Sequence, residues 1–117
     1  MNPLSQVDIE SELQRISNLL ENQITEHAKR LRVYAEADRT FDIAFAKARR
    51  EAKHVATEKI TQGDADDLAT IATEEERRVR DDAEAALDAA KEAGRNYREI
   101  LSGLRTLAAN QRALVSG

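Results

Sequence analysis

The sequence predicts an all-α protein, a long antiparallel two-helix hairpin of coiled-coil type that assembles into a homo-oligomer. Three observations carry this reading. Of 117 residues, 34% are charged while Gly number only four and Pro one, a mixture that, with heptad spacing, marks long helices rather than disorder. Aromatic residues make up 3% and Trp is absent, so the bulky side chains that fill a globular core are missing. Apolar residues recur in steps of three and four along two stretches, separated by the polar, Gly-containing segment "TQGDADD".

The first stretch runs Leu20, Ile24, His27, Leu31, Tyr34, Asp38, Phe41, Phe45, Ala48, Ala52 and Val55. It is an apolar seam with two polar intrusions and predicts one continuous helix over about residues 5–60. The turn is expected at about 61–64, with Gly63 taking the left-handed conformation after the helix end and Asp64 capping the next first turn. The second helix is then expected over about 65–114. Its seam reads Leu68, Ala72, Glu75, Val79, Ala83, Ala86, Ala90, Ala93, Tyr97, Ile100, Leu104, Leu107, Gln111 and Leu114. Gly94 and Gly103 lie inside that pattern at about 1 kcal/mol each relative to Ala, so a break is expected near one of them. Pro3 and Gly117 mark the two ends of a single helical domain spanning 1–117.

A turn centred near residue 63 sets Phe41 and Phe45 against Ala83 and Ala86, and Leu20 and Ile24 against Leu104 and Leu107. Charge follows the same register. Residues 29–59 hold nine basic and five acidic groups, opposite 64–92 with four basic and eleven acidic. Cross-hairpin pairing of these blocks helps set orientation, at tenths of a kcal/mol per solvated pair. Two helical stripes leave apolar groups uncovered, among them Ile16, Leu19, Ala37, Ala44 and Leu101, and this surplus predicts self-association.

The chain has no cysteine, which excludes disulfides and thiolate metal sites. "MNPLSQVDIESEL" has neither a basic start nor an apolar run, so a cytoplasmic location is expected, with no membrane partner. No phosphate-binding Gly-rich loop or nucleophile triad appears, and no enzymatic activity, cofactor or small-molecule substrate is expected. Glu51 and His54 form Glu-x-x-His, near Glu75 and Glu76 in the expected register, but Arg49, Arg50 and Lys53 would repel a cation and His54 should turn outward. No metal site is expected. His27 reads as a hydrogen-bonded core histidine, and Asp38 as a register-setting polar group paired with an Arg. Glu74, Glu75, Glu76, Asp81 and Asp82 alternate with arginines and read as a solvated face.

The stretch "FDIAFAKARREAKHVATEKI" stands out in an acidic chain of net charge −4. Lys47, Arg49, Arg50 and Lys53 form a stripe on one helix that can track a phosphate backbone. With Phe41 and Phe45 assigned to the seam, base stacking is not expected there. Binding should be weak, non-specific and salt-sensitive.

The order of elements is informative: an early "ELQRI", then "YAEADRTFDIAFAKARREAK", an acidic second helix and a closing "LSGLRTLAANQR". It resembles small helical proteins of tailed bacteriophages encoded among replication and recombination genes, and is more distantly similar to recombination mediators of the UvsY type. The resemblance implies an oligomeric accessory protein that binds single-stranded DNA, with the family's Lys-x-Arg contact falling on Lys47 and Arg49. It implies a recombinase and single-strand-binding protein as partners, in the host cell cytoplasm. It also implies oligomerisation through the C-terminal helix, on Tyr97, Ile100, Leu101, Leu104, Leu107 and Leu114. The flanking aromatics of the mediators are absent and the chain is acidic. The rival reading is a coiled-coil scaffold or adaptor that binds a virion or host protein without nucleic acid.

Overall fold

A computed structural model describes residues 5–56 and 58–116, with side chains through 114; Pro3 and Gly117 lie outside the described residues. The chain is all-helical among those residues: α1 spans Gln6–Val55, α2 Gln62–Ala72 and α3 Glu74–Ser116. Long-range contacts gather into two units, one of Arg30–Leu87 and one of Met1–Lys29 with Asp88–Gly117. Both α1 and α3 contribute to each.

The Arg30–Leu87 unit contains the turn. α1 stops at Val55, short of the expected residue 60, and α2 begins at Gln62 rather than near residue 65. The reason is local chemistry. Thr61 is the N-cap, its hydroxyl accepting from the Asp64 amide at 3.0 Å, while the Asp64 carboxylate accepts from the Thr61 amide at 3.4 Å. This reciprocal capping box satisfies two helix-end donors and fixes the start ahead of Gly63. Gly63 therefore sits inside the first turn of α2, and no described glycine has a positive φ. Lys53 donates to Gln62 Oε1 at 2.6 Å and Arg49 reaches Asp66 at 3.5 Å, so α2 returns along α1 antiparallel.

The interruption expected near Gly94 or Gly103 falls instead at Thr73, and α3 runs through both glycines unbroken. Thr73 is buried at φ −111°, ψ 24°. Its amide donates to the Ala69 carbonyl at 3.0 Å and its hydroxyl to the same oxygen at 2.7 Å. A threonine hydroxyl bonded back to the preceding turn competes with the helical ladder and bends the chain. The Arg77 guanidinium donates to the Thr70 carbonyl at 2.7 Å and holds the joint. Glu74, Glu75 and Glu76 then open α3, where the helix dipole favours negative charge. Phe41 and Phe45 were expected against Ala83 and Ala86. With the turn earlier in the chain, Phe41 lies under the Arg80 guanidinium, 4.2 Å from its ring centroid.

In the second unit α1 and α3 are also antiparallel. Ile16, 2% exposed, packs with Leu101 and Leu104, and Leu13, Leu19, Leu20 and Tyr97 surround them. Leu104 thus shares a cluster with Ile16 and, as expected, Leu20, whereas Ile24 is exposed and outside it. Gln23 Nε2 donates to the Ala90 carbonyl at 2.9 Å. Gly94 is buried beside it, and a Cβ there would lie 3.8 Å from Gln23 Cγ.

Many seam positions are displaced by one residue, including Leu68, Ala72, Glu75 and Val79, which are exposed while Ala69, Thr73, Glu76 and Arg80 turn inward. On α1, positions 20, 27, 34, 41 and 48 turn inward as expected, but Gln23, Arg30, Ala37 and Ala44 share their face, not Ile24 and Leu31. On α3, positions 83, 90, 97, 104 and 111 hold, and Leu87, Gly94, Leu101 and Ala108 replace Ala86, Ala93, Ile100 and Leu107. One consequence is a second row on α3. Asn96, Ile100, Gly103, Leu107, Asn110 and Leu114 follow one another at steps of four and three, all exposed and none charged.

Candidate nucleic-acid interface

The four predicted cations stand on consecutive turns of α1, within the Arg30–Leu87 unit. Helical spacing sets Arg49, Arg50 and Lys53 on one flank, with Lys47 farther around the helix beyond Arg50. The structure divides them by partner. Arg49 leans to Asp66 and Lys53 to Gln62, both on α2. Lys47 and Arg50 are exposed and have no hydrogen-bond or ion-pair partner among the described residues.

Ala46 lies amid these side chains, and its small size leaves two shallow depressions. One, of about 410 Å³, is lined by Phe45, Ala46, Arg49, Arg50 and Lys53. The other, of about 230 Å³, is lined by Ile43, Ala46, Lys47 and Arg50. Phe45 is therefore not confined to the seam: Ala44 turns toward the partner helix one position earlier, and Phe45 is half-buried on the flank, its ring 5.9 Å from that of Phe41. An aromatic face thus borders three cations, contrary to the expectation that no stacking group would be present. The missed signal was the position of Phe45, three residues from Ala48 and four from Phe41, which fits a flank as well as a seam.

Charge pairing differs from the expected cross-hairpin pattern. Arg15 with Glu12, Arg39 with Glu36, Arg78 with Glu75 and Asp82, and Arg95 with Glu92 all pair within one helix. Arg49 to Asp66 joins two helices. Spacing of three or four along a helix brings such partners together without any second element. The cluster around Glu75 and Asp82 is accordingly a solvated face laced by arginine, as expected.

His54 and Glu51 are both exposed, and no group of three potential metal ligands occurs among the described residues. Asp38 lies beside Tyr34 rather than an Arg: its charge is the main cause of the raised Tyr34 pKa, reinforced by burial, Glu84 and Asp42 and opposed by Arg80. His27 is half-buried, but its Nε2 atom is fully enclosed without a hydrogen-bond partner, contrary to the expected satisfied histidine. Of the expected oligomerisation residues, Leu101 and Leu104 are buried inside the chain against Ile16, and Tyr97 packs on them. Ile100, Leu107 and Leu114 remain 46%, 48% and 82% exposed. No described helix is long and apolar enough to cross a membrane. No protein-family model, curated protein or solved structure matches the chain.

Proposed function

We propose that the chain is a non-enzymatic, self-associating accessory protein of phage recombination or replication that holds single-stranded DNA weakly on the α1 flank and helps load a recombinase. The observation that carries this reading is the placement of Phe45 in one depression with Arg49, Arg50 and Lys53. Cations follow a phosphate backbone, and an aromatic face accepts a base of any sequence. Lys47 and Arg50 are ready to engage phosphates, whereas Arg49 and Lys53 must exchange α2 partners for them. That exchange accounts for the modest affinity expected per chain. Copies joined along the uncharged row of α3 would multiply it.

Fluorescence anisotropy of labelled oligothymidine across a salt series tests the reading. Affinity should fall steeply with salt, and Lys47→Ala or Arg50→Ala should each lower the magnitude of the log–log slope by about 1. Phe45→Leu should weaken binding by about 1–3 kcal/mol with the slope unchanged. Absence of binding at low salt, with helicity intact, would overturn it. The exposed uncharged row also suits the scaffold alternative, which predicts concentration-dependent self-association with no response to the oligonucleotide.

A further inference from the structure

The second unit carries a basic cleft that the DNA-binding reading does not use. It has a volume of about 320 Å³ and lies between the Gln23 and His27 turn of α1 and the 90–98 stretch of α3. Lys91, Arg95 and Arg98 line it together with Gln23, His27 and Gly94, and no carboxylate is among its lining residues. In a chain with 22 acidic and 18 basic residues, three cations around an acid-free concavity is a local inversion of charge.

The floor is defined on both helices. Gln23 is committed to the Ala90 carbonyl at 2.9 Å, tying α1 to α3 at one end of the cleft. Gly94 leaves the floor open, with Arg98 Nη1 3.9 Å from the position a Cβ would take. Arg95 is partly neutralised by Glu92 at 3.3 Å. Lys91 and Arg98 have no partner among the described residues. The enclosed Nε2 of His27 is likewise without one.

An enclosed polar atom without a partner is costly, and because His27 lines the cleft, a small turn of its ring would bring Nε2 to a ligand that supplies the missing bond. With the imidazole proton on Nε2, the imidazole, ammonium and guanidinium groups together present only donors to the cleft. Their common acceptor is an oxyanion with several oxygens, which guanidinium engages with two parallel bonds.

We propose that this cleft is a phosphate-binding site, in which Arg98 and Lys91 hold the oxygens and His27 Nε2–H donates the inner hydrogen bond. It is distinct in its residues from the Lys47 to Lys53 flank and does not rest on that reading. The phosphate could be free or could belong to a nucleic-acid backbone. The chemistry at the three side chains is the same.

The test is ¹H–¹⁵N NMR of the His27 imidazole in the full chain, titrated separately with inorganic pyrophosphate and with oligothymidine. Saturable movement of the His27 Nε2 signal with either probe is expected. Response to pyrophosphate assigns a free phosphate, and response to oligothymidine alone assigns the backbone. A Lys91→Gln, Arg98→Gln double variant should weaken the response at least tenfold while circular dichroism stays unchanged. No movement with either probe, or movement indifferent to the double variant, overturns the site and leaves His27 satisfied by water. Lys47→Ala with Arg50→Ala should leave the pyrophosphate response intact, so failure of the α1 flank and failure of the cleft are read separately.

Discussion

At the scale of single residues, a few side chains settle what periodicity leaves open. Ile16 is the largest fully buried side chain, packed with Leu101 and Leu104 in a unit whose buried core also includes Ile9 and Ala90. With so few buried side chains, the stability of this unit concentrates in these aliphatic groups. Ile16→Ala should therefore cost about 2–5 kcal/mol, read as a lower denaturant midpoint in urea unfolding. A loss below about 1 kcal/mol would mean that the cluster is loosely packed. Thr61 and Thr73 act differently, through hydroxyls that bond to backbone: one starts α2 and the other ends it.

At the scale of elements, the helical class and the two-stripe layout were legible because steps of three and four persist along both long helices. The exact face was not. Ile24, Leu31, Ile100 and Leu107 are large and apolar, and hydrophobic spacing assigned them to the seam. The structure turns Gln23, Arg30, Leu101 and Ala108 inward one position away, with Gln23 bonded to the Ala90 carbonyl and Gly94 buried beside it. The turn was misplaced for a similar reason: Gly63 gives a strong stop signal on its own, but the Thr61 and Asp64 capping box requires both residues to be considered together. The basic flank was visible as charge, and its aromatic border was hidden by the shift of Phe45 away from the seam. Gly103 tests the outward row of α3. A Cβ at Gly103 would meet nothing within 4 Å, so nothing in the chain itself accounts for a glycine there. Gly103→Ala should gain about 1 kcal/mol of helix stability in thermal unfolding at low concentration. Under the proposed self-association along this row, sedimentation should show weaker association, because a partner helix would exploit the missing side chain. Unchanged sedimentation would exclude Gly103 from any such contact.

At the scale of the whole molecule, acidic residues exceed basic ones, and much of the charge is settled by pairing along each helix. Hydrogen bonding to Arg15 holds the Glu12 pKa below 4.5, and Arg78 does the same for Glu75. A folded-state pKa below the unfolded one gives stability that is present above about pH 4.5 and lost as pH falls through the lowered value. The thermal midpoint should hold steady from pH 7 to 5 and decline below 4.5. A Glu12→Gln, Glu75→Gln double variant should show a smaller decline, and an equal decline would assign the acid sensitivity to other carboxylates. The threonine-bounded segment carries a further consequence. At 11 residues α2 is shorter than the roughly 12–15 at which isolated helices become even marginal in water, so its order depends on lying against α1. Local melting of that segment costs less than global unfolding. It also releases Arg49 and Lys53 from Asp66 and Gln62, so the number of unpartnered cations on α1 is tied to whether a short helix stays docked.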